Sequence, residues 1–315
     1  MEYKTTSEET WKSDNDTSRR ESPEIYRGSI EIFLTIFICV ICTFGLAGNG
    51  IVIWLLGFRI KRNPFTTYIL NLAVADFGLL LILVLWIILH TVLQSNISMT
   101  GLYFSLFFIA IYVIGHLLLT AISVDRCVSV LCPIWYRCHR PPHCSTFICV
   151  VIWVLSFAFN GIPTILLSGN FTELANFTIS FQFHVNAFLC LPLITISSLI
   201  LFIRVCFKSR QHRRGRILIV VLLTLLFYLF FAFPLTALIV TVIYFHFLSG
   251  TFIYYADFVF LSTSLNSSVN PFIYFLVGRM KRSCSRESMK VTLQRVFKEE
   301  EVPEAEEEPP LETQL

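Results

Sequence analysis

The sequence predicts an all-α membrane protein, a bundle of seven spanning helices, and three observations predict it. Hydrophobic residues make up 55% of the chain and charged residues 14%, with a mean hydropathy of +0.71; soluble domains carry about a quarter charged residues. The apolar residues gather into seven runs, each long enough for a bilayer core that takes about 20 helical residues to cross. Basic residues fall in alternate connections between the runs, as a chain crossing back and forth requires.

The first thirty residues are polar and mixed in charge. They lack the apolar core of a cleavable signal peptide, so the first span must serve as its own insertion signal. That span, Ile32 to Phe58, carries Gly48-Asn49, and the second, Phe65 to Leu93, carries Asn71 and Asp76. The third, Gly101 to Cys127, ends on Asp125-Arg126 and runs into a basic, proline-bearing loop containing Pro133, Trp135, Tyr136, Arg137 and Arg140. The fourth is Thr146 to Ser168, the fifth Phe181 to Phe207 with Pro192, and the sixth Arg216 to Tyr244 with Pro234. The seventh, Thr251 to Val277, holds Asn266, Ser267, Ser268 and the run Asn270-Pro271-Phe272-Ile273-Tyr274. Beyond it, Met289, Leu293, Val296 and Phe297 recur at helical spacing among Arg286, Lys290, Arg295 and Lys298. This predicts a short basic amphipathic helix suited to an anionic inner leaflet. The chain therefore divides into a tail (1–31), a seven-span domain (32–277), an amphipathic cytoplasmic helix (278–298) and an acidic, proline-containing disordered tail (299–315).

Two independent signals give the orientation. The basic residues between spans, from Arg59, Lys61 and Arg62 through Arg126, Arg137 and Arg140 to Arg204, Lys208 and Arg213, all fall on one side. The connections on the other side contain no Lys or Arg. The positive-inside rule then puts the N-terminus outside and the C-terminus in the cytoplasm, as expected of a multi-pass plasma-membrane protein. The glycosylation sequons at Asn15, Asn96, Asn170 and Asn176 all land outside in that topology. Nucleic-acid binding has no support, since the basic residues occupy short loops between apolar runs. No enzymatic activity, metal or cofactor is expected.

Polar groups placed where lipid should be need partners, because each unpaired one costs about 1 to 3 kcal/mol. Asn49 and Asn71 have an ordinary reading as glue between helices. Asp76 is harder to explain that way, and an acid inside a membrane is by default a functional candidate. Asn266 belongs to the same polar core. Arg126 at a helix end is either an anchor reaching the aqueous rim or a switch with a buried acceptor. Pro192 and Pro234 each remove an intrahelical hydrogen bond and are candidate hinges.

Taken in order, Asn49, the LAVAD segment ending at Asp76, Asp125-Arg126, Trp153, Pro192, Pro234 and NPFIY resemble the rhodopsin-like G-protein-coupled receptors. The phrases RNPFTTYILNLAVADF, LLTAISVDRCVSVLCPIWYRCHRP and NSSVNPFIYFLVGRMKRS look like the Mas-related receptors, and the basic tail after NPFIY looks closest to the Mas branch. The resemblance implies an activation switch and G-protein contact at Asp125, Arg126, Cys127, Pro133, Asn270, Pro271 and Tyr274. It also implies an extracellular ligand, a heterotrimeric G protein, lipid contacts and arrestin as partners, with the sixth helix swinging outward on activation.

The chain departs from the rhodopsin-like pattern in several places. No cysteine lies in an outer loop or near Gly101, so no extracellular disulfide is expected. Ala232 stands where many relatives carry a tryptophan, Ile200 where a low fifth-helix tyrosine is usual, and the sixth helix begins HRRGR with no acid to pair Arg126. Arg126 is thus expected to be restrained mainly by Asp125, giving measurable agonist-free signalling. Phe108 occupies the third-helix position where an amine receptor would carry a carboxylate. The ligand candidates are Phe104, Phe108, Glu173, Phe183, Tyr244, Tyr254 and Asp257, a mostly aromatic set that suits a peptide or an amphipathic small molecule. Cys284 is a candidate for palmitoylation, with a free thiol as the alternative. A transporter or a non-signalling interaction protein would keep the polar core without needing the arginine.

Overall fold

Among the described residues the apolar runs are helical, and the irregularities at Pro64, Pro133 and Pro192 have local causes. A computed structural model describes residues 6–60, 62–93, 98–166, 173, 177, 180–181, 184–207, 219–231 and 252–279. The first helix, α1, is Thr6–Phe58, of which Ile30–Phe58 is the apolar, membrane-length part. It gives way to a turn before α2, Pro64–Leu93. Asn63 and Thr66 cap that start reciprocally: Thr66 donates its amide to Asn63 Oδ1 and Asn63 donates its amide to Thr66 Oγ1, both at 2.7 Å. Pro64 sits at the first helical position, where its missing N–H costs nothing.

Helix α3, Ser98–Leu131, continues past Arg126 for more than a turn beyond the predicted limit at Cys127. It stops because Pro133 excludes the helical region for the residue before it; Cys132 has φ −123° and ψ 63°. The expected loop after α3 is instead a six-residue helix, α4, Pro133–Cys138, with the proline at its start. The next helix, α5, is Cys144–Leu166 and follows Pro141-Pro142.

The fifth predicted span opens with a π-helical turn, Asn186–Cys190, which leads into α6, Leu191–Phe207. Here the Leu191 amide reaches back five residues to the Asn186 carbonyl. Pro192 has no N–H to continue the α-helical ladder, and one widened turn accommodates it. Helix α7 covers Ile219–Phe231 and α8 covers Phe252–Arg279. Five described helices are long and apolar enough to cross a membrane; α7 is the described part of the sixth predicted run, and α8 supplies the seventh. No strand occurs among the described residues. The amphipathic helix expected at 278–298 lies beyond the described residues apart from its first two positions, which end α8.

Helix α3 is the central strut. Of its apolar stretch 72% is buried, against 17% for α1, and it packs on α2, α5 and α6. Its Ile114, Leu118, Leu119 and Ile122 share one core with Leu72, Val220, Val221, Leu225 and Tyr274. Helix α1 packs on α2 and α8, and its Ile32, Phe33, Ile36, Phe37 and Phe44 face outward, where lipid would meet them. Between membrane helices, small residues let backbones approach closely. A methyl added at Gly45 would stand 2.1 Å from Ser268 Oγ of α8, and one at Gly48 would stand 3.0 Å from Pro271.

Candidate functional site

Asp125 and Arg126 do not lie at an open rim. The α4 helix folds Tyr136 back over the end of α3, and the side chains of Asp125, Arg126 and Arg140 keep only 10%, 5% and 9% of their exposure. Arg126 Nη2 lies 2.8 Å from Asp125 Oδ2, while Arg140 Nη2 takes the other carboxylate oxygen at 2.7 Å. The Tyr136 hydroxyl donates to Asp125 Oδ2 at 2.9 Å and accepts from Arg126 Nη2 at 3.1 Å and from Arg140 Nη1. Arg140 also donates to Ser145 Oγ at 2.5 Å, which ties the cluster to the start of α5.

Burial pushes the Tyr136 phenol well above its ordinary pKa, so it keeps the proton it donates to Asp125. One carboxylate thus serves two guanidiniums and a phenol. The α2 cap contributes as well, because it sets fully buried Phe65 against the guanidinium of Arg126, 4.6 Å from its ring centre. Arg126 is therefore no snorkelling anchor. The expectation that it rests mainly on Asp125 is also corrected, since Tyr136 and Phe65 hold it too. Sequence reasoning missed this because Tyr136 meets Asp125 only after Pro133 has turned the chain. Cys127 is buried beside Arg126, and Pro133 is exposed.

Deeper in the bundle, Asn49 and Asp76 of the predicted polar core both hydrogen-bond to α8. Asn270 Nδ2 donates to Asp76 Oδ2 at 2.8 Å. Asn49 Nδ2 is 3.0 Å from two carbonyls, those of Gly45 and Ser267. Trp153 Nε1 donates to Asn71 Oδ1 at 3.1 Å, joining α5 to α2, and Ser268 donates to the Ile41 carbonyl. Asn266 is only partly buried, and its neighbour Ser267 makes the bond to Asn49. Pro271 and Tyr274 are buried. Pro192 is exposed, directly after the π turn, and Pro234 lies outside the described residues.

At the other end of the bundle, Phe104 and Phe108 form one aromatic group with two residues that sequence reasoning did not single out. Trp86 stacks on Phe104 with ring centres 4.2 Å apart, and Phe260 meets Phe104 and Phe108 edge-on at 6.2 and 5.7 Å. Glu173 is exposed. Tyr254 and Asp257 fall within α8, where only their backbone is described, and Asn15 is described likewise in α1. Phe183, Tyr244, Asn96, Asn170, Asn176 and Cys284 lie outside the described residues. A further buried polar group, His116, Asn186 and Tyr228, was also missed, although a histidine and an asparagine inside apolar runs were legible signals.

Helices packed around a central third helix that carries a buried Asp-Arg pair near its end, with an Asp-Asn bond between α2 and α8, have the arrangement of a seven-transmembrane receptor. The family model described as 7 transmembrane receptor (rhodopsin family) matches residues 48–274. The chain is 38% identical over 271 residues to the proto-oncogene Mas of Rattus norvegicus, covering 84% of this chain and 83% of that protein. It is 39% identical over 268 residues to Mas-related G-protein coupled receptor member D of Macaca fascicularis, covering 82% and 83%. Member H of Mus musculus is 38% identical over 267 residues, covering 84% and 83%. The chain belongs to the Mas and Mas-related G-protein-coupled receptors of the rhodopsin family. It is accordingly a multi-pass membrane receptor that answers an extracellular ligand through G proteins, and not an enzyme. The transporter and non-signalling alternatives fall away.

Proposed function

We propose that this receptor sits in the plasma membrane with its N-terminus outside and its C-terminus in the cytoplasm, and answers a peptide or an amphipathic small molecule. Trp86, Phe104, Phe108 and Phe260 offer that ligand an aromatic floor, and Glu173 and Asp257 are the acids able to meet a cation. The ligand favours a bundle state in which the sixth-span helix, which includes α7, swings outward about Pro234, with Pro192 as a second hinge. Arg126 then leaves Asp125 and Tyr136 to meet the carboxyl end of a G-protein α subunit. Cys127, Pro133, Asn270, Pro271 and Tyr274 belong to the same switch, while Asn49, Asp76 and Asn266 form its polar core. Arrestin and inner-leaflet lipids are further partners, and the four outer sequons and Cys284 are modification sites.

The observation that carries this reading is the shared carboxylate. An arginine held by two side chains and a ring, near the end of a largely buried helix, supports a reading in which it is released on activation rather than left at a rim. The test is Arg126→Ala with G-protein activation measured at matched surface density. Coupling is expected to vanish with normal expression; retained coupling refutes the switch. Charge reversal at both Glu173 and Asp257 is expected to weaken a cationic peptide agonist by at least tenfold, and unchanged potency removes those acids from the ligand site.

A further inference from the structure

Four aromatic side chains descend α3 one turn apart: Phe104, Phe108, Tyr112 and His116. Their ring centres are separated by 5.6, 6.4 and 4.0 Å in turn. The column starts in the Trp86 and Phe260 aromatic group and ends on a histidine that is 3% exposed, deep between helices. There His116 Nδ1 lies 3.0 Å from Asn186 Oδ1, and the Tyr228 hydroxyl donates to the same oxygen at 2.9 Å. The Tyr228 ring also stands edge-on to the imidazole, 4.7 Å away. With the amide oxygen between them, Nδ1 carries the hydrogen, and the imidazole is the Nδ1–H tautomer.

The three groups come from three elements. His116 is on α3, Asn186 opens the π turn before α6, and Tyr228 is on α7; all are buried, at 3%, 1% and 0% exposure. The π turn brings Asn186 and Cys190 inward together while Phe188 and Leu189 between them face out. The widened turn that accommodates Pro192 thus also delivers the acceptor to the bundle interior. Tyr228 lies six residues before Pro234, on the same side of that hinge as the start of α7. An outward swing of that segment would draw the phenol off Asn186 and cost one hydrogen bond in an apolar interior.

We propose that His116, Asn186 and Tyr228 form a polar latch that holds the sixth-span helix against the third and fifth in the agonist-free receptor. The proposal rests on the outward swing put forward under Proposed function. Asn186 and His116 are positioning residues: they act on the G protein only through where they hold Tyr228. The aromatic column puts the latch in unbroken ring contact with the opposite end of the bundle.

The test needs no agonist. Tyr228→Phe removes one hydroxyl and keeps the ring, and Asn186→Leu removes the shared acceptor at similar volume. Agonist-free activation of a panel of G proteins is read per receptor at the cell surface, for each variant, for the pair, and for Tyr228→Phe with Arg126→Ala. The loss of one buried hydrogen bond is expected to raise basal activation about 3- to 10-fold. The pair is expected to give no more than the larger single effect, since both break one latch. A role in packing alone would lower surface density and signalling together, so a gain separates the two. Unchanged or reduced basal activation in Tyr228→Phe at normal surface density overturns the latch, as do additive effects. If basal activation rises but survives Arg126→Ala, the latch stands and the arginine switch fails. Hydrogen exchange of amides 219–231 in purified receptor decides independently of coupling: faster exchange in Tyr228→Phe supports the latch, and identical exchange overturns it.

Discussion

Replacing Tyr136 by phenylalanine removes a single oxygen from the Arg126 cluster and leaves the ring, the fold of α4 and both arginines in place. That oxygen donates to Asp125 at 2.9 Å and accepts from Arg126 at 3.1 Å and from Arg140. Hydrogen bonds to charged groups contribute about 1.5 to 3 kcal/mol each. The direct bonds from Arg126 and Arg140 to Asp125, at 2.8 and 2.7 Å, survive the substitution. The lower end therefore applies, about 1.5 kcal/mol, which is roughly a tenfold shift toward the state in which Arg126 is free. The assay is agonist-free G-protein activation per surface receptor, with Tyr136→Phe compared with the parent at matched expression. A rise of about that size is expected. Basal activation that stays level or falls at normal surface density would refute the claim that Tyr136 restrains Arg126, and would leave Asp125 and Phe65 as its restraints.

Two further substitutions test the packing and the polar core. Gly45→Ala places a methyl 2.1 Å from Ser268 Oγ, so α1 and α8 must move apart; a loss of about 1 to 3 kcal/mol is expected, read as a lower melting temperature of purified receptor and reduced surface density. An unchanged melting temperature would mean that Ser268 and Leu80 both give way without strain. Trp153→Phe deletes the 3.1 Å bond to Asn71 and is expected to cost only about 0.6 kcal/mol, visible in thermal unfolding but not in coupling. A loss of coupling there would make that bond part of the switch.

The sequence by itself determined the spans, their number and the place of the Asp125-Arg126 pair, because hydrophobic length and loop charge are local properties that a bilayer reads directly. The local breaks were less legible: the second span was expected to begin at Phe65 and the third to end at Cys127, whereas Pro64 opens α2 and α3 runs on to Leu131 before Pro133. Only the tertiary structure decided which polar groups meet. His116 and Asn186 are 70 residues apart, Tyr228 and Asn186 are 42, and Asp76 and Asn270 are 194. Such pairings depend on how each helix is rotated about its axis. A helix apolar on every side, such as α2, carries no stripe in its sequence to announce that rotation. Burial of Arg126 was hidden for the same reason, since the phenol and the ring that hold it reach it from α4 and α2 only once those helices have packed against the end of α3.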